Sequence, residues 1–277
     1  MIKRIEFDAL KKAGNIEAFF TPKETGTWNI NQPDGPALFR ELAPELGITP
    51  EPIVRTEQRH TPNVKVVDMA NGGEGVINPY ANNGYDGMVT NCKRLMLCTV
   101  EADCVPVLLY DPVQEVIGNV HSGWRGTVGQ ISGNAVKLMQ ERFGTNPADV
   151  VAGIGPCICG ECYEVSEDLV GPFAKVYSEA EVKELFLPKG NGKYLLDLKK
   201  AITMKLVKDG GYLATCSCSH FMTQELFTEV IGQAAKAVHK RLRQIEFRTQ
   251  ACDHPILWAA DESYYLKFLI FQVCDEK

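Results

Sequence analysis

The sequence predicts a mixed α/β fold in a single domain. The chain has 277 residues, of which 45% are hydrophobic and 23% charged, and it contains neither a low-complexity tract nor a repeat. Short β-rich runs bounded by Pro, Gly and Asp fill its centre, and a helical pattern separates two of them. We therefore expect one catalytic domain over residues 1–277, since large mixed sheets often reach this length as one unit.

The first ninety residues alternate short elements with polar turns. The predicted elements are a strand at Ile16–Phe20, a helix from Asp34 or Gly35 to Leu46 that Gly47 ends, and strands at Val64–Asp68 and Gly87–Thr90. The stretch NGGEGVINPYANNGYDG, before and into the last strand, is rich in Gly and Asn and predicts a surface loop.

The centre of the chain contains four β-rich runs, LMLCTVEADC, VPVLLYD, EVIGNVH and DVVAGIG. Between the third and fourth, apolar residues at helical spacing predict a helix that Gly144 ends, namely Ile131, Ala135, Leu138, Met139 and Phe143. The stretch SEDLVGPFAKVYSEAEVKELF also predicts helical structure. The segment Met222–Phe247 is amphipathic and predicts a further long helix.

Charge and hydropathy restrict the partners. The net charge of −6 argues against a nucleic-acid surface, which needs clustered basic residues, so a small-molecule partner is expected. The stretch MIKRIEFDALKKAG lacks the apolar core of a signal peptide, and no run approaches the roughly 18 apolar residues of a membrane span. We expect a cytoplasmic protein, monomeric or homodimeric, whose ten cysteines are reduced.

The segment VHSGWRG, Val120–Gly126, has the composition expected at the edge of a functional site. Trp124 and Arg125 are typical neither of a core strand nor of a simple turn. A hairpin of Cys104–Tyr110 and Glu115–His121 around a four-residue loop would place the first cysteine directly opposite the last histidine. Opposed residues have Cβ atoms about 4.5–5.5 Å apart, which suits zinc at about 2.3 Å from sulfur and about 2.0–2.1 Å from nitrogen. Register alone thus predicts two metal ligands.

A third ligand has to come from another segment. Of the remaining four histidines, His60 lies in the short polar segment TEQRHTPNV just before a predicted strand, where its side chain can project toward a sheet edge. His239 belongs to a predicted solvated helix face beside Lys240 and Arg241. His60 is therefore the favoured third ligand.

Five motifs resemble, in order, the signatures of one family: TEQRHTPNV, YDGMVTN, EADCVPVLLYDP, IGNVHSGWRGTV and IGPCICGECYEVSEDL. Over Gly14–Lys208 the chain is similar to the YfiH/laccase-domain family, also called polyphenol oxidases and now regarded as purine nucleoside phosphorylases. The resemblance implies a layered α/β sandwich like that of bacterial cysteine-hydrolase toxins. It also implies a single zinc ion held by His60, Cys104 and His121, the set that the hairpin reasoning reaches.

The resemblance implies a reaction as well as a fold. It points to phosphorolysis of adenosine, inosine, guanosine and methylthioadenosine to free base and ribose 1-phosphate, with adenosine deamination as a second reaction. Two imidazoles and one thiolate leave a fourth tetrahedral position open, as expected of catalytic zinc. The candidate catalytic residues are His60, Cys104, His121 and Arg125.

Candidate substrate contacts follow from their position beside the ligands. Phosphorolysis needs positively charged side chains that bind phosphate. Arg59 adjoins the proposed ligand His60, and Arg125 follows the proposed ligand His121 by four positions. Trp124 and Tyr163 are candidates for stacking on the base. No general base can be assigned, because in a regular strand Asp103 and Glu101 would face away from Cys104, and Asp86 and Glu164 have no predicted place.

The chain departs from the family pattern near its end. Where the family usually has an asparagine shortly after LDL, this chain offers Ile202 or Thr203, and the tail from Thr228 onward does not match. A second, structural zinc site is disfavoured because its cysteines lack the tight paired spacing of zinc knuckles. Its ligands would be Cys157, Cys159, Cys162, Cys216, Cys218 and His220.

Three alternatives stay open at this point. A His₂Cys set also binds mononuclear copper, which would make the protein a copper-dependent polyphenol oxidase. Five histidines are too few for the additional multi-copper cluster of known laccases. Cys104 and His121 could instead act without metal as a hydrolytic dyad, or the chain could be a binding module without activity.

Overall fold

The computed structural model describes residues 3–22, 35–80, 84–209, 212–217, 224–237, 240–248 and 267–275. In these ranges the strands are β1 (Ile5–Glu6), β2 (Phe19–Phe20), β3 (Ile53–Arg55), β4 (Val64–Val66), β5 (Gly87–Thr90), β6 (Met96–Cys98), β7 (Val105–Asp111), β8 (Val116–Ser122), β9 (Val151–Ile154), β10 (Glu164–Ser166), β11 (Phe186–Gly190), β12 (Lys193–Leu196), β13 (Tyr212–Ser217), β14 (Lys240–Arg248) and β15 (Lys267–Asp275). The α-helices are α1 (Asp8–Ala13), α2 (Gly35–Glu45), α3 (Trp124–Val128), α4 (Ile131–Phe143), α5 (Val170–Ala174), α6 (Glu179–Leu185), α7 (Leu198–Asp209) and α8 (Gln224–Ala237). None of these helices is long and apolar enough to cross a membrane.

A mixed sheet forms the centre of the described structure. Its eight strands follow the order β14-β15-β13-β9-β7-β8-β5-β4, and neighbours are antiparallel except in the pairs β13–β9 and β4–β5. Three smaller sheets surround it: β1-β2, the parallel pair β3-β6, and β10-β12-β11. His60 follows β3 in the sequence, and Cys104 follows β6.

The two faces of the central sheet bury different partners, as alternation along β7 shows. Val107 and Leu109 belong to the large core that also contains apolar side chains of α4, α7 and α8. Leu108 and Tyr110 point the other way and pack with Phe7, next to α1. Helices therefore cover both faces of the sheet, and the predicted layered α/β class is confirmed.

Several predicted elements match the structure closely. The strands at Gly87–Thr90 and VPVLLYD coincide with β5 and β7. Helix α4 ends at Gly144, whose φ of 74° favours glycine and whose N–H donates to the Gln140 carbonyl. The stretch SEDLVGPFAKVYSEAEVKELF divides into α5 and α6, because Ser178 and Glu181 form a capping box that starts a second helix.

Other elements are shorter than predicted. The strand expected at Ile16–Phe20 keeps only the two residues of β2, and the run LMLCTVEADC keeps only β6. The segment from Thr99 to Cys104 is irregular, so side-chain alternation along it does not hold. This matters for Glu101 and Asp103, whose expected direction assumed a regular strand.

The long helix predicted over Met222–Phe247 is wrong in its second half. Helix α8 ends at Ala237, and Lys240–Arg248 forms β14 against β15. The pairing register shifts between Gln244 and Glu246, which marks a β-bulge or similar irregularity. Leu242 and Ile245 are three positions apart in the sequence, a spacing that also fits a helical period.

The predicted hairpin exists with a different register. Asp111 pairs with Val116, so Pro106 and not Cys104 lies opposite His121. Asp111 joins the strand because its Oδ1 accepts the backbone N–H groups of the turn at 2.8 and 3.1 Å, while Glu115 enters the turn with φ of 52°. A slip of two residues keeps every side chain of β7 and β8 on its face. Cys104 directly precedes β7, outside this ladder.

Candidate metal centre

Three side chains converge at one end of the β7–β8 hairpin. The ligand atoms of His60, Cys104 and His121 all lie within 4.8 Å of one another. The two imidazole rings are 4.9 Å apart between centroids and meet at 79°. In the part of the chain that the structure describes, no other group of three or more His, Cys, Asp or Glu side chains lies close enough together to hold a metal ion. The structure thus brings together the three residues that the sequence proposed.

His121 lies in β8, and its tautomer is set by a buried carboxylate. The side chain is 4% exposed, and Nδ1 lies 2.9 Å from Oδ2 of Asp86. An ionised carboxylate only accepts hydrogen bonds, so Nδ1 carries the proton and Nε2 is left for a metal. The backbone N–H of His121 also donates to the Asp86 carbonyl at 2.7 Å.

The same carboxylate holds the loop that carries His60. The backbone N–H groups of Arg59, His60 and Thr61 donate to the Asp86 oxygens at 3.1, 2.9 and 2.7 Å. The Thr61 hydroxyl adds a contact of 2.8 Å. His60 has φ of 60°, a left-handed conformation that costs energy in a non-glycine residue unless its surroundings fix it. Asp86 provides that fixation.

The pKa values of Asp86, His60 and His121 are shifted in different directions. Burial would raise the pKa of Asp86, but hydrogen bonds from His121, Thr61 and Arg59 lower it to about 2. Burial and then the charge of His121 lower the pKa of His60. Burial would lower the pKa of His121, but the hydrogen bonds to Asp86 and Cys104 raise it to about 10. Metal binding at Nε2 would therefore release a proton from His121.

Gly123 supplies the space in which the ligands meet. A Cβ atom at this position would lie 2.9 Å from Cδ2 of His60 and 3.0 Å from Sγ of Cys104. Real Cβ atoms essentially never approach other atoms so closely, so any larger residue would displace a ligand. Two imidazole nitrogens, a thiol and a cradle without a side chain together fit a transition-metal ion such as zinc or copper.

Residues 37–227 match the family described as multi-copper polyphenol oxidoreductase laccase. The chain belongs to this family. It is 36% identical to purine nucleoside phosphorylase YlmD of Bacillus subtilis (strain 168) over 158 residues, 57% of this chain and 56% of YlmD. It is 32% identical to adenosine deaminase RL5 of an unknown prokaryotic organism over 224 residues, 76% of this chain and 85% of that protein.

The fold agrees with this assignment. The crystal structure of Bacillus licheniformis hypothetical protein YfiH superposes with a TM-score of 0.60 and 31% identity, covering 63% of this chain and 66% of that chain. The expected YfiH-type fold and the expected family are confirmed. The match to YlmD spans little more than half of that relative's length.

The site contains a buried carboxyl that the sequence predicted to lie on the opposite face. The Glu101 side chain is 1% exposed, and its Oε2 lies 3.6 Å from Nε2 of His121. Burial raises the pKa of Glu101 to about 7 against the opposing effect of His121. Glu101 was expected to face away from Cys104, but the irregular backbone before β7 turns it toward the site.

Asp86 is the other residue that the sequence left unplaced. It precedes β5, and because Gly87 pairs with Val120 across β5–β8, Asp86 arrives beside His121. The motif YDGMVTN contained this signal, but only the long-range strand pairing reveals it. Asp103, which was expected to face away from Cys104, is exposed, and Glu164 is an exposed partner of Lys189.

The four candidate substrate residues lie in different surroundings. Arg125 stacks its guanidinium 4.2 Å from the ring centroid of Trp124, and its charge acts on both His60 and Tyr163. Tyr163 is half-buried, and burial raises its pKa, with Cys104 and Asp103 adding to the effect. Arg59 is largely exposed and forms an ion pair with Glu57. Their contacts with substrate stay predictions.

The second cysteine cluster is divided between described and undescribed residues. Cys159 and Cys162 are adjacent, but the part of the chain that the structure describes yields no second group of three ligands there. Cys218 and His220 lie outside the described residues.

Proposed function

We propose that the chain is a zinc-dependent purine nucleoside phosphorylase, which converts a nucleoside and phosphate to the free base and ribose 1-phosphate. The observation that carries the proposal is the convergence of His60, Cys104 and His121 within 4.8 Å. The relative named purine nucleoside phosphorylase YlmD supports the reaction. The substrates expected are adenosine, inosine, guanosine and methylthioadenosine.

The donor set favours a catalytic over a structural metal. Three protein ligands leave one tetrahedral position free, whereas structural zinc is closed by four. When bound, zinc would supply Lewis acidity and this open position for a substrate or water oxygen. His121 Nε2, His60 and the Cys104 thiolate would hold it, and Asp86 fixes the ring of His121 and the backbone of His60 through the contacts described above.

Glu101 is the residue that we assign to proton transfer. Its Oε2 lies 3.6 Å from the proposed metal-binding nitrogen of His121, and its side chain is almost fully buried. A carboxyl in this position can donate a proton to the departing base or accept one from an attacking water. Glu101→Gln should lower kcat by about 10²–10⁴-fold while the metal content is unchanged, as measured by steady-state kinetics and elemental analysis. Unchanged kcat would exclude this role.

Arg125 is the stronger of the two phosphate candidates. Its charge acts on His60 and Tyr163, and a planar guanidinium binds phosphate through two parallel hydrogen bonds. Arg59 would first have to leave Glu57. Tyr163 borders the same space and supports the proposal of an aromatic contact with the base, while Trp124 already has Arg125 against its ring.

The test combines elemental analysis with a phosphate-dependent assay. We expect about one zinc per chain, lost in Cys104→Ser and retained in the matched variant Cys92→Ser, whose sulfur lies near the Lys93 carbonyl outside the site. Release of free base from adenosine should require phosphate and should disappear in Cys104→Ser alone. Base release at the same rate without phosphate would contradict phosphorolysis.

Adenosine deamination is the second candidate reaction. The relative named adenosine deaminase RL5 supports it, and both reactions need the same three ligands. It should release ammonia from adenosine without phosphate and should be lost with the metal. Inosine formation that survives in Cys104→Ser would contradict a shared site.

The same preparations separate the remaining alternatives. Copper in place of zinc, with oxidation of phenols, would support the activity that the family description names. Activity in metal-free protein that iodoacetamide abolishes at Cys104 would support a Cys104–His121 hydrolase. Zinc binding without turnover of any nucleoside would indicate a binding module.

A further inference from the structure

Two cysteine sulfurs lie together in the loop before β10, apart from the His-Cys-His group. The Sγ atoms of Cys159 and Cys162 are 2.8 Å apart and hydrogen-bonded. Cys162 is exposed and Cys159 is partly exposed, so small solutes can reach both. The spacing Cys-x-x-Cys is the one at which two thiols close a short loop.

The loop backbone holds the two sulfurs in this arrangement. The N–H groups of Cys162 and Tyr163 both donate to the carbonyl of Cys159, at 3.0 and 3.1 Å. Between the cysteines, Gly160 packs so closely on Asp197 that a Cβ there would lie 2.8 Å from the Asp197 Cβ. The proximity of the sulfurs is thus built into the backbone, and closing a bond between them has little loop entropy to overcome.

The loop is also attached to the candidate site. The N–H of Ile158 donates to the Asp103 carbonyl at 3.0 Å, directly before Cys104. On the other side, Cys162 precedes Tyr163, whose hydroxyl group interacts electrostatically with Cys104. The dithiol is therefore one residue away from a wall of the proposed nucleoside pocket.

We propose that Cys159 and Cys162 form a reversible dithiol–disulfide pair that exchanges with low-molecular-weight disulfides. A disulfide has an S–S length of about 2.03–2.05 Å, so closure shortens the present separation by less than 1 Å. The pair needs no nucleoside chemistry, so its test is independent of the proposed function. Within that function, closure fixes the loop that positions Tyr163.

The exchange balances in two steps. One cysteine thiolate attacks a sulfur of the small disulfide, whose S–S bond breaks and releases one small thiolate. The second cysteine thiolate attacks the protein-bound sulfur, forms the Cys159–Cys162 bond and releases the other small thiolate. The two protein thiols lose two electrons and two protons, and the small disulfide becomes two thiols. The hydrogen bond with Cys159 raises the pKa of the Cys162 thiol, so exchange accelerates as pH rises.

The test uses the metal-loaded protein and glutathione disulfide. We expect release of about two equivalents of glutathione per chain and a mass loss of two hydrogen atoms, mapped to the peptide that contains Cys159 and Cys162. Cys159→Ser and Cys162→Ser should each stop after about one equivalent and keep a glutathione adduct. The neighbouring variant Cys157→Ser should still release about two.

Two results would overturn the proposal. One is a persistent glutathione adduct on the wild-type loop, which would show that the second thiol does not attack. The other is a disulfide that includes Cys104, which would show that the site ligand is the reactive partner. If phosphorolysis itself fails in the assay above while the closure occurs, the dithiol stands and only its link to Tyr163 is lost.

Discussion

The two halves of the candidate metal centre are held by different means. His121 lies in β8, which the strand ladders of β5 and β7 fix on both sides. His60 lies on the loop between β3 and β4, in a left-handed conformation. The loop reaches its place through hydrogen bonds to Asp86, which also binds His121. The geometry of the centre therefore depends on one buried carboxylate as much as on the sheet.

The largest expected effect comes from removing that carboxylate. Asp86→Ala leaves three backbone N–H groups and the His121 ring without their acceptor, and it leaves the Thr61 hydroxyl with the Gly84 carbonyl alone. We expect the free energy of unfolding of the metal-free protein to fall by about 3–5 kcal/mol, measured by urea denaturation, and the metal content to be lost. The same change at exposed Asp168 should cost less than about 0.5 kcal/mol.

A small effect of Asp86→Ala would contradict the dependence of the His60 half on Asp86. If the variant lost under about 1 kcal/mol and still bound metal, the His60 loop would be held by contacts other than Asp86. The sheet half would then be sufficient to form the site.

The pH dependence of stability tests the same contact without a structural change. The pKa of Asp86 is lowered from 3.8 to about 2, so its contribution to stability is fully present above about pH 4 and is lost as the pH falls toward 2. Protonated aspartate resembles asparagine. The difference in unfolding free energy between wild type and Asp86→Asn should therefore shrink by about 2 kcal/mol over this range. A difference that is constant with pH would show that the carboxylate charge is not what binds the loop.

The contrast between the halves also explains which parts of the site the sequence could predict. Cys104 and His121 are close in sequence and lie at the same end of one hairpin, so they come together despite a register error of two residues. His60 could be chosen because few histidines were available and because it lies in a short polar segment just before a strand. Asp86 reaches His121 through the β5–β8 pairing, across 35 positions of sequence, and no local pattern reports such a contact.

Fold prediction had the same limit. Local signals were sufficient for β5, β7 and α4, where alternation, helical spacing and a terminal glycine agree. They failed at Lys240–Arg248, because the register irregularity in the pairing with β15 is invisible before the partner strand is known. They failed again before Cys104, where the chain leaves the strand and directs Glu101 toward His121.

Gly123 lies where the two halves of the centre meet, close to both His60 and Cys104. Gly123→Ala places a methyl group against His60 and Cys104, whereas the β7–β8 ladder is unaffected. Its φ is −75°, so the backbone tolerates alanine and only the close approach is tested. We expect the metal affinity to fall about 10–100-fold in a competition titration with a chelator.

A matched glycine provides the control. At Gly232 in α8 an added Cβ meets no described atom within 4 Å beyond its own helix backbone, so Gly232→Ala should leave metal affinity unchanged and raise stability by about 0.5–1 kcal/mol. Equal metal affinities in the two variants would show that His60 moves freely enough to accommodate the methyl group.

The smallest expected effect isolates one hydrogen bond of the loop half. The Thr61 hydroxyl lies 2.8 Å from both Asp86 Oδ1 and the Gly84 carbonyl, so Thr61→Val should cost about 1–2 kcal/mol of unfolding free energy. Thr56 is 4% exposed, and its hydroxyl has no hydrogen-bond partner among the described residues. Thr56→Val should therefore be neutral or stabilising, because it removes a buried polar group that is unpaired. Urea denaturation could instead show that both variants lose the same unfolding free energy. The loss would then come from altered packing around β3, and the hydrogen bond from the Thr61 hydroxyl to Asp86 would not be what holds the His60 loop.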